Sequence, residues 1–279
     1  MALYAFDGTG NEDEVDGRED SNVVKFRDAY SEPTFYLEGI GTRFGLPGKI
    51  VGGLTGLGGR ERIEEALSAF DRNVVGRDAV VDIVGFSRGA ALALHFANVL
   101  FEKRDGAAVR FLGLWDAVAS FGLPGNDTNL GWTFTLPDNV VRCRHAMALD
   151  ERRRGFPLTR VRTAGGEAAG VPRLTEVWFR GVHSDVGGGN GNLALSSSPL
   201  AWMLRRAHAA GLPIRHTSVI DAEKRCQPDA PISKNRGPHT DLFRPIATGD
   251  RVHESVRSRG QQNGVAHNDP PAGIFVARG

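Results

Sequence analysis

The chain has 279 residues, with 41% hydrophobic and 24% charged residues, which is the balance of an ordinary globular protein. Its formal net charge of +1 argues against a nucleic-acid-binding protein, because such proteins usually carry a strongly basic surface. The two cysteines, Cys143 and Cys226, are too few for a disulfide framework and match no zinc motif, and no stretch has the roughly 18 apolar residues of a membrane span. Because no signal-peptide pattern opens the chain, we expect it to be made in the cytoplasm.

The first predicted strand, Ala2–Phe6, is a short apolar run that leads into a polar loop with two glycines, residues 7–11. Ligands of open α/β sheets bind beyond the carboxyl ends of the strands, so this loop predicts backbone N–H groups at a binding edge. Asp7 is a candidate pocket residue, with the alternative that its carboxylate holds its own loop. A phosphatase of the haloacid dehalogenase type is disfavoured, because Ala5 stands where its nucleophilic Asp would be.

The next segments alternate between predicted helices, a strand and a glycine-rich stretch. Residues 21–30 predict a helix with Ser21 as its N-cap, and residues 33–37 predict a strand. Residues 44–59 contain seven glycines and five aliphatic side chains, and are too glycine-rich to predict a helix. They are either a mobile apolar flap over the site or a packed surface loop. Apolar spacings of three and four predict an amphipathic helix over residues 60–74.

The central motif lies at Ser87. The apolar run at residues 80–84 predicts a buried strand, and residues 90–100 predict a helix. Between them stands GFSRG, which has the form G-x-S-x-G. The pentapeptide alone occurs by chance in a glycine-rich chain, but strand, glycine-flanked serine and helix together are typical of a nucleophile elbow. The helix N-terminus that follows would favour negative charge beside the serine.

The later elements complete an alternating pattern of strands and helices. Strands are predicted at residues 109–114, 140–149 and 174–182, a helix at residues 199–210, and mostly irregular chain beyond Pro213. This alternation predicts the α/β fold class. We expect residues 1–279 to form a single α/β-hydrolase-like domain with a mostly parallel central sheet and helices on both faces.

Three candidate catalytic side chains each follow a predicted strand: Ser87, Asp116 and His183. Their order is the nucleophile–acid–base order of α/β-hydrolases. A serine hydroxyl is a poor nucleophile unless an imidazole takes its proton, and the imidazole needs a carboxylate to fix its tautomer. The candidate oxyanion-hole donors are the backbone N–H of Arg88 and a second N–H from Gly8 or Thr9.

Alternatives remain for two of these roles. Asp150 is the alternative catalytic acid, and His253, or less strongly His145, is the alternative base. Asp185 is a second candidate pocket residue that could also bind a cation, unless it is a turn carboxylate that caps backbone N–H groups. No metal or other cofactor is expected to be needed.

Six segments carry a resemblance to a known family: FDGTGN (6–11), GIGT (39–42), GFSRGA (85–90), WDAVAS (115–120), RHAMALDERR (144–153) and GVHSDVGGG (181–189). In these segments the chain resembles the α/β-hydrolase family of type VI secretion phospholipase effectors. The resemblance implies that Ser87 is the nucleophile, Asp116 the acid and His183 the base. It also implies lipase or phospholipase activity on a phospholipid or another lipid ester.

The resemblance further implies contact with a membrane surface, export by a non-classical secretion system, and a secretion-apparatus or immunity protein as partner. The chain is short for the family, so we expect the catalytic domain with little of the membrane-targeting module of long members. Two other functions stay open. One is a soluble small-ester or thioester hydrolase, and the other is a binding module that keeps the fold without turnover.

Overall fold

The computed structural model describes residues 1–9, 19–39, 56–74, 79–119, 131–163, 172–234, 242–257 and 267–277. Within these ranges the helices are α1 (Asn22–Ala29), α2 (Gly56–Val74), α3 (Arg88–Lys103), α4 (His183–Gly187), α5 (Leu193–Ala209), α6 (His216–Arg225) and α7 (Glu254–Arg257). None of the described helices combines the length and the apolar character that crossing a bilayer requires.

The described strands form one sheet. They are β1 (Ala2–Phe6), β2 (Thr34–Leu37), β3 (Val80–Phe86), β4 (Ala108–Trp115), β5 (Cys143–Ala148), β6 (Leu174–Phe179), β7 (Arg251–His253) and β8 (Phe275–Ala277). Their order is β2-β1-β3-β4-β5-β6-β7-β8, and each neighbouring pair is parallel. The predicted α/β fold class with a parallel sheet is therefore confirmed.

Two apolar cores lie on opposite faces of this sheet, as the side-chain alternation of β1 illustrates. Tyr4 and Phe6 pack into a core that includes residues of α2 and α3. Leu3 and Ala5 pack into a second core that includes residues of α1, α5 and α6. The helices thus cover both faces, as predicted, and β1 is buried along its whole length.

The strand order places a reversal of chain direction across the sheet at the carboxyl ends of β1 and β3. The chain leaves β1 to form β2 on one side, and then returns to form β3 on the other side. Such a reversal of direction separates the loops that follow the two central strands, which makes it the usual ligand site of an open α/β sheet. Asp7 follows β1 and Ser87 follows β3, so both lie at this edge.

Several predicted boundaries were wrong. The helix predicted from residue 199 begins at Leu193, since Pro199 lies inside α5 rather than in its first turn. The strand predicted from residue 140 begins at Cys143. Residues 44–55 of the proposed flap lie outside the described residues, whereas its last four residues, predicted as non-helical, open α2.

The chain beyond Pro213 was predicted to be mostly irregular, and its described part also includes regular elements that the prediction did not name. It contains α6 and the strands β7 and β8, which extend the sheet beyond β6. Their sequence signal is weak, because each of these strands has three residues and α6 buries only Val219 and Ala222.

Candidate active site

Ser87 occupies the sharp turn between β3 and α3. Its φ of 58° lies in the left-handed region, which is strained for a residue with a side chain. The turn is fixed by hydrogen bonds: the Ser87 N–H donates to the Trp115 carbonyl (3.0 Å), and the Ser87 carbonyl accepts from the N–H groups of Ala90 and Val118 (both 3.1 Å). The turn therefore has the geometry of a nucleophile elbow.

The two glycines of the motif are required by close backbone contacts. A Cβ on Gly85 would meet the Gly89 carbonyl oxygen and the backbone of Ala90. A Cβ on Gly89 would overlap the carbonyl oxygens of Phe6 and Asp7 at the end of β1. Because these obstacles are backbone atoms, they cannot move aside as a side chain could.

We expect Gly89→Ala to lower the free energy of unfolding by about 1–3 kcal/mol, because the added methyl group forces α3 away from β1. Gly155→Ala is the matched control, since a Cβ there meets nothing within 4 Å. Urea unfolding of both variants measures the difference. Equal stability of the two variants would show that the close approach of Gly89 to β1 is not needed for folding.

The structure brings Ser87, His183 and Asp116 into one hydrogen-bonded chain. Asp116 follows β4 directly, and His183 is the first residue of α4, close after β6. The His183 Nε2 atom lies 2.8 Å from Ser87 Oγ, and its Nδ1 atom lies 2.6 Å from Asp116 Oδ2. The imidazole packs against the rings of Phe86 and Phe156, with centroid separations of 4.6 and 4.7 Å. All three polar residues are buried, so the hydrogen bonds are shielded from water.

Asp116 is held by groups other than His183. Its φ of 40° is left-handed, and its Oδ1 accepts from the Ala148 N–H (2.8 Å) and from Arg244 Nη1 (2.6 Å). Burial alone would raise the pKa of Asp116, but the charge of Arg244 and the hydrogen bond from His183 hold that pKa below its usual range. The carboxylate is therefore ionised at neutral pH. Sequence reasoning missed Arg244, which lies in no motif and in a segment predicted to be irregular.

The environment of the His183 imidazole favours its neutral form. Burial lowers its pKa below the usual value, although the hydrogen bond and charge of Asp116 and the charge of Glu151 oppose that shift. The Glu151 carboxylate also accepts the backbone N–H of His183 (3.1 Å) and pairs with Arg153 (2.9 Å). A neutral imidazole can accept a proton from the Ser87 hydroxyl, as a general base requires.

The alternative acid and bases have other partners. Asp150 accepts from Arg180 Nη1 (2.8 Å), from the Gly181 N–H (2.7 Å) and from the Asn268 N–H (2.8 Å). His253 stacks on Phe179, and its Nδ1 lies 2.8 Å from Ser255 Oγ. The Nδ1 of His145 lies 2.9 Å from the Glu176 carboxylate, and its Nε2 accepts from the Ala117 N–H (3.1 Å). These contacts give each side chain a local structural role.

Asp7 organises the loop that follows β1. Its Oδ2 accepts from Ser21 Oγ (2.7 Å) and from the Tyr36 hydroxyl (2.8 Å), which joins the loop to α1 and β2. Its Oδ1 accepts the N–H of Gly8 (2.7 Å), so one of the two candidate oxyanion donors is already engaged. The hydroxyl of the other, Thr9, is buried without a hydrogen-bond partner among the described residues.

Asp185 has the contacts of a turn carboxylate. Its oxygens accept from the N–H groups of Val182 (3.1 Å) and Ser233 (3.0 Å), the Ser233 hydroxyl (2.6 Å), and the amides of Asn190 (3.0 Å) and Asn192 (2.8 Å). These donors link α4 to the start of α5 and to the segment near residue 233. In the described part of the chain, no group of three or more His, Cys, Asp or Glu side chains could hold a metal ion.

Comparison with known proteins identifies relatives of the chain. A family model described as the catalytic domain of type VI secretion Tle1-like phospholipase effectors matches residues 3–103 and 97–206. No curated protein matches.

Among solved structures, an uncharacterized protein from Pseudomonas aeruginosa is 24% identical, with a TM-score of 0.64 over 81% of this chain and 48% of its own. The Tle1 effector bound to the VgrG spike of the type 6 secretion system is 26% identical, with a TM-score of 0.45 over 67% of this chain and 50% of its own. RedJ, with a PEG molecule in its active site, is 16% identical, with a TM-score of 0.40 over 76% of this chain and 90% of its own. The first likeness supports the fold, and the chain spans about half the length of the first two proteins.

Proposed function

Because the chain belongs to the family of Tle1-like phospholipase effector catalytic domains of type VI secretion, we propose that it is a serine hydrolase that cleaves carboxylic esters of lipids. The observation that carries this proposal is the continuous hydrogen bonding from Ser87 through His183 to Asp116. An elbow serine, a neutral imidazole and an ionised carboxylate in that order are the parts that acyl transfer requires.

The first half of the proposed reaction forms an acyl-enzyme. The Ser87 oxygen attacks the ester carbonyl while His183 Nε2 takes the hydroxyl proton, and Asp116 stabilises the imidazolium that results. The negative charge that develops on the carbonyl oxygen is held by the N–H of Arg88, at the start of α3, and by a second N–H from the loop after β1. Thr9 is favoured as that second donor, because the Gly8 N–H already donates to Asp7.

The second half releases the products. The intermediate collapses, and His183 gives its proton to the departing alcohol, here the lysolipid or glycerol part of the substrate. A water molecule then loses a proton to His183 and attacks the acyl-enzyme carbonyl. The carboxylic acid leaves, and the proton returns to the oxygen of Ser87. No redox cofactor takes part in this sequence.

Arg88 supports an anionic lipid as the substrate class. Burial lowers the pKa of its guanidinium to about 10, and its Nε has no hydrogen-bond partner among the described residues. Arg88 is half-buried, and a partly desolvated cation is stabilised when an anion joins it. The phosphate of a phospholipid would supply that anion close to Ser87, because guanidinium groups match phosphate oxygens well.

We expect the purified chain to react with a fluorophosphonate probe at Ser87 and to release fatty acid from phospholipid vesicles. Probe labelling followed by peptide mapping reports the nucleophile, and chromatography of the lipid products reports the substrate. Labelling without lipid turnover would favour a soluble small-ester or thioester hydrolase. Absence of both would favour a binding module that keeps the fold without turnover.

Family membership also supports export through a type VI secretion apparatus, with a component of that apparatus and an immunity protein as partners. The related Tle1 effector has been solved in a complex with the VgrG spike.

A further inference from the structure

Arg244 donates four hydrogen bonds at the candidate site, although it is not one of the three candidate catalytic residues. Its Nη1 donates to Asp116 Oδ1 (2.6 Å) and to the Ala148 carbonyl (2.9 Å). Its Nη2 donates to Asp116 Oδ2 (3.2 Å) and to the Phe156 carbonyl (2.7 Å). The Arg244 side chain is 9% exposed and that of Asp116 is fully buried, so the fork of the guanidinium grips both carboxylate oxygens away from water.

The carboxylate would have two hydrogen bonds without this arginine. Asp116 Oδ2 accepts from His183, and Oδ1 accepts from the Ala148 N–H. Those two bonds would leave a buried anion on a strained, left-handed backbone, with no Arg or Lys of the described residues paired to it. Arg244 supplies the compensating charge, and it fixes the plane of the carboxylate through two donors.

We propose that Arg244 is a positioning residue, which clamps Asp116 in the orientation that aligns His183 with Ser87. The inference rests on the proposed serine-hydrolase function. Arg244 acts through the carboxylate and does not contact the reacting atoms.

Arg244 also connects the later part of the chain to the imidazole. The carbonyl that accepts from its Nη2 belongs to Phe156, whose ring packs against His183. The carbonyl of Arg244 accepts from Asn268 Nδ2 (2.9 Å), and the Asn268 N–H donates to Asp150. Asn268 therefore lies between the alternative acid Asp150 and the backbone of Arg244.

The charge of Arg244 adds an effect that can be measured separately from its geometry. The charged groups that face His183 are Asp116 after β4, Glu151 and Arg153 after β5, and, through Asp116, Arg244. Loss of a cation from this set favours the protonated imidazole, so the pKa of His183 must rise. Because only the neutral imidazole accepts the serine proton, the acidic limb of the pH profile must then move to higher pH.

The test compares wild type with Arg244→Met and Arg244→Lys on a neutral short-chain ester, with the folded fraction of each variant measured by urea unfolding. We expect Arg244→Met to lower kcat by about 10²-fold with little change in KM, and to move the acidic limb upward. Arg244→Lys keeps the charge but loses the fork, so its kcat should fall while its acidic limb stays near that of wild type. Methylguanidinium should restore activity to Arg244→Ala by about tenfold or more.

Arg160→Met is the matched control. Arg160 also bridges buried carboxylates, those of Glu176 and Asp250, between the sheet and the same later segment. Its loss should lower stability without moving the pH profile and without rescue by methylguanidinium. In an Asp116→Asn background, Arg244→Met should add little further loss, because the carboxylate that it holds is absent.

Each outcome bears on the inference. An unchanged acidic limb in Arg244→Met, or equal effects of Arg244→Met and Arg160→Met on kcat and on its pH dependence, would overturn it. If Arg244→Met does not fold, the kcat of Arg244→Lys and the rescue of Arg244→Ala by methylguanidinium test the inference instead. Full kcat in Arg244→Lys would show that the two-donor contact to Asp116 is not needed. Failure of the serine-hydrolase assignment is a separate result, because the wild type would then neither label at Ser87 nor turn over any ester.

Discussion

Ser87→Ala is expected to lower kcat by about 10⁴–10⁶-fold while the protein stays folded. The hydroxyl oxygen is the atom that would form the acyl-enzyme, and members of such a triad act as a unit. Alanine at this position lacks the nucleophilic oxygen. The hydrogen bonds that hold the turn use the backbone N–H and carbonyl groups of residue 87, which the substitution does not remove. Stability should therefore change far less than activity.

The measurement is kcat on a short-chain ester together with loss of fluorophosphonate labelling, and a urea melt to confirm the fold. Ser255→Ala is the matched control, because Ser255 contacts the alternative base His253 and not His183. Ser255→Ala should keep both labelling and turnover. Residual activity of Ser87→Ala within about tenfold of wild type would reject Ser87 as the nucleophile.

The elbow could be predicted because its signals are close together in the sequence. The apolar residues of β3, the serine between two glycines and the small residues of α3 follow each other directly, so the local pattern and the tertiary structure agree. The pattern does not show why the second glycine is needed. Gly89 packs against the carbonyl oxygens of Phe6 and Asp7, and that contact exists only after β1 and β3 have paired.

The later part of the chain could not be predicted in this way. β7 has three residues, and it is a strand because it pairs with β6 through Val252 and Trp178, not because its own residues alternate. Arg244 lies in a run with no periodicity, and its function depends on Asp116, which is far from it in the sequence. Long-range ion pairs of this kind leave no local signal.

Measurements of kcat and stability on the same variants should distinguish the proposed base His183 from the alternative His253. The same measurements should distinguish the proposed acid from Asp150. His183→Ala is expected to lower kcat by about 10⁴–10⁶-fold, because it removes the only imidazole in contact with Ser87 Oγ within the described part of the chain. His253→Ala should keep turnover, since His253 contacts Ser255 and stacks on Phe179. Its loss opens space beside Phe179 and should lower stability instead.

Asp116→Asn should cost about 10⁴-fold in kcat, because an amide facing His183 Nδ1 permits the wrong imidazole tautomer. Asp150→Asn leaves the buried guanidinium of Arg180 without its anion, so we expect a stability loss of about 3–5 kcal/mol with turnover per folded site retained. Urea unfolding separates the two effects, because it gives the folded fraction of each variant independently of the triad, and the remaining change in kcat per folded molecule then reports on the triad. If Asp150→Asn lost rate per site and Asp116→Asn kept it, the acid would be Asp150, and Arg244 would hold a carboxylate with no part in the reaction.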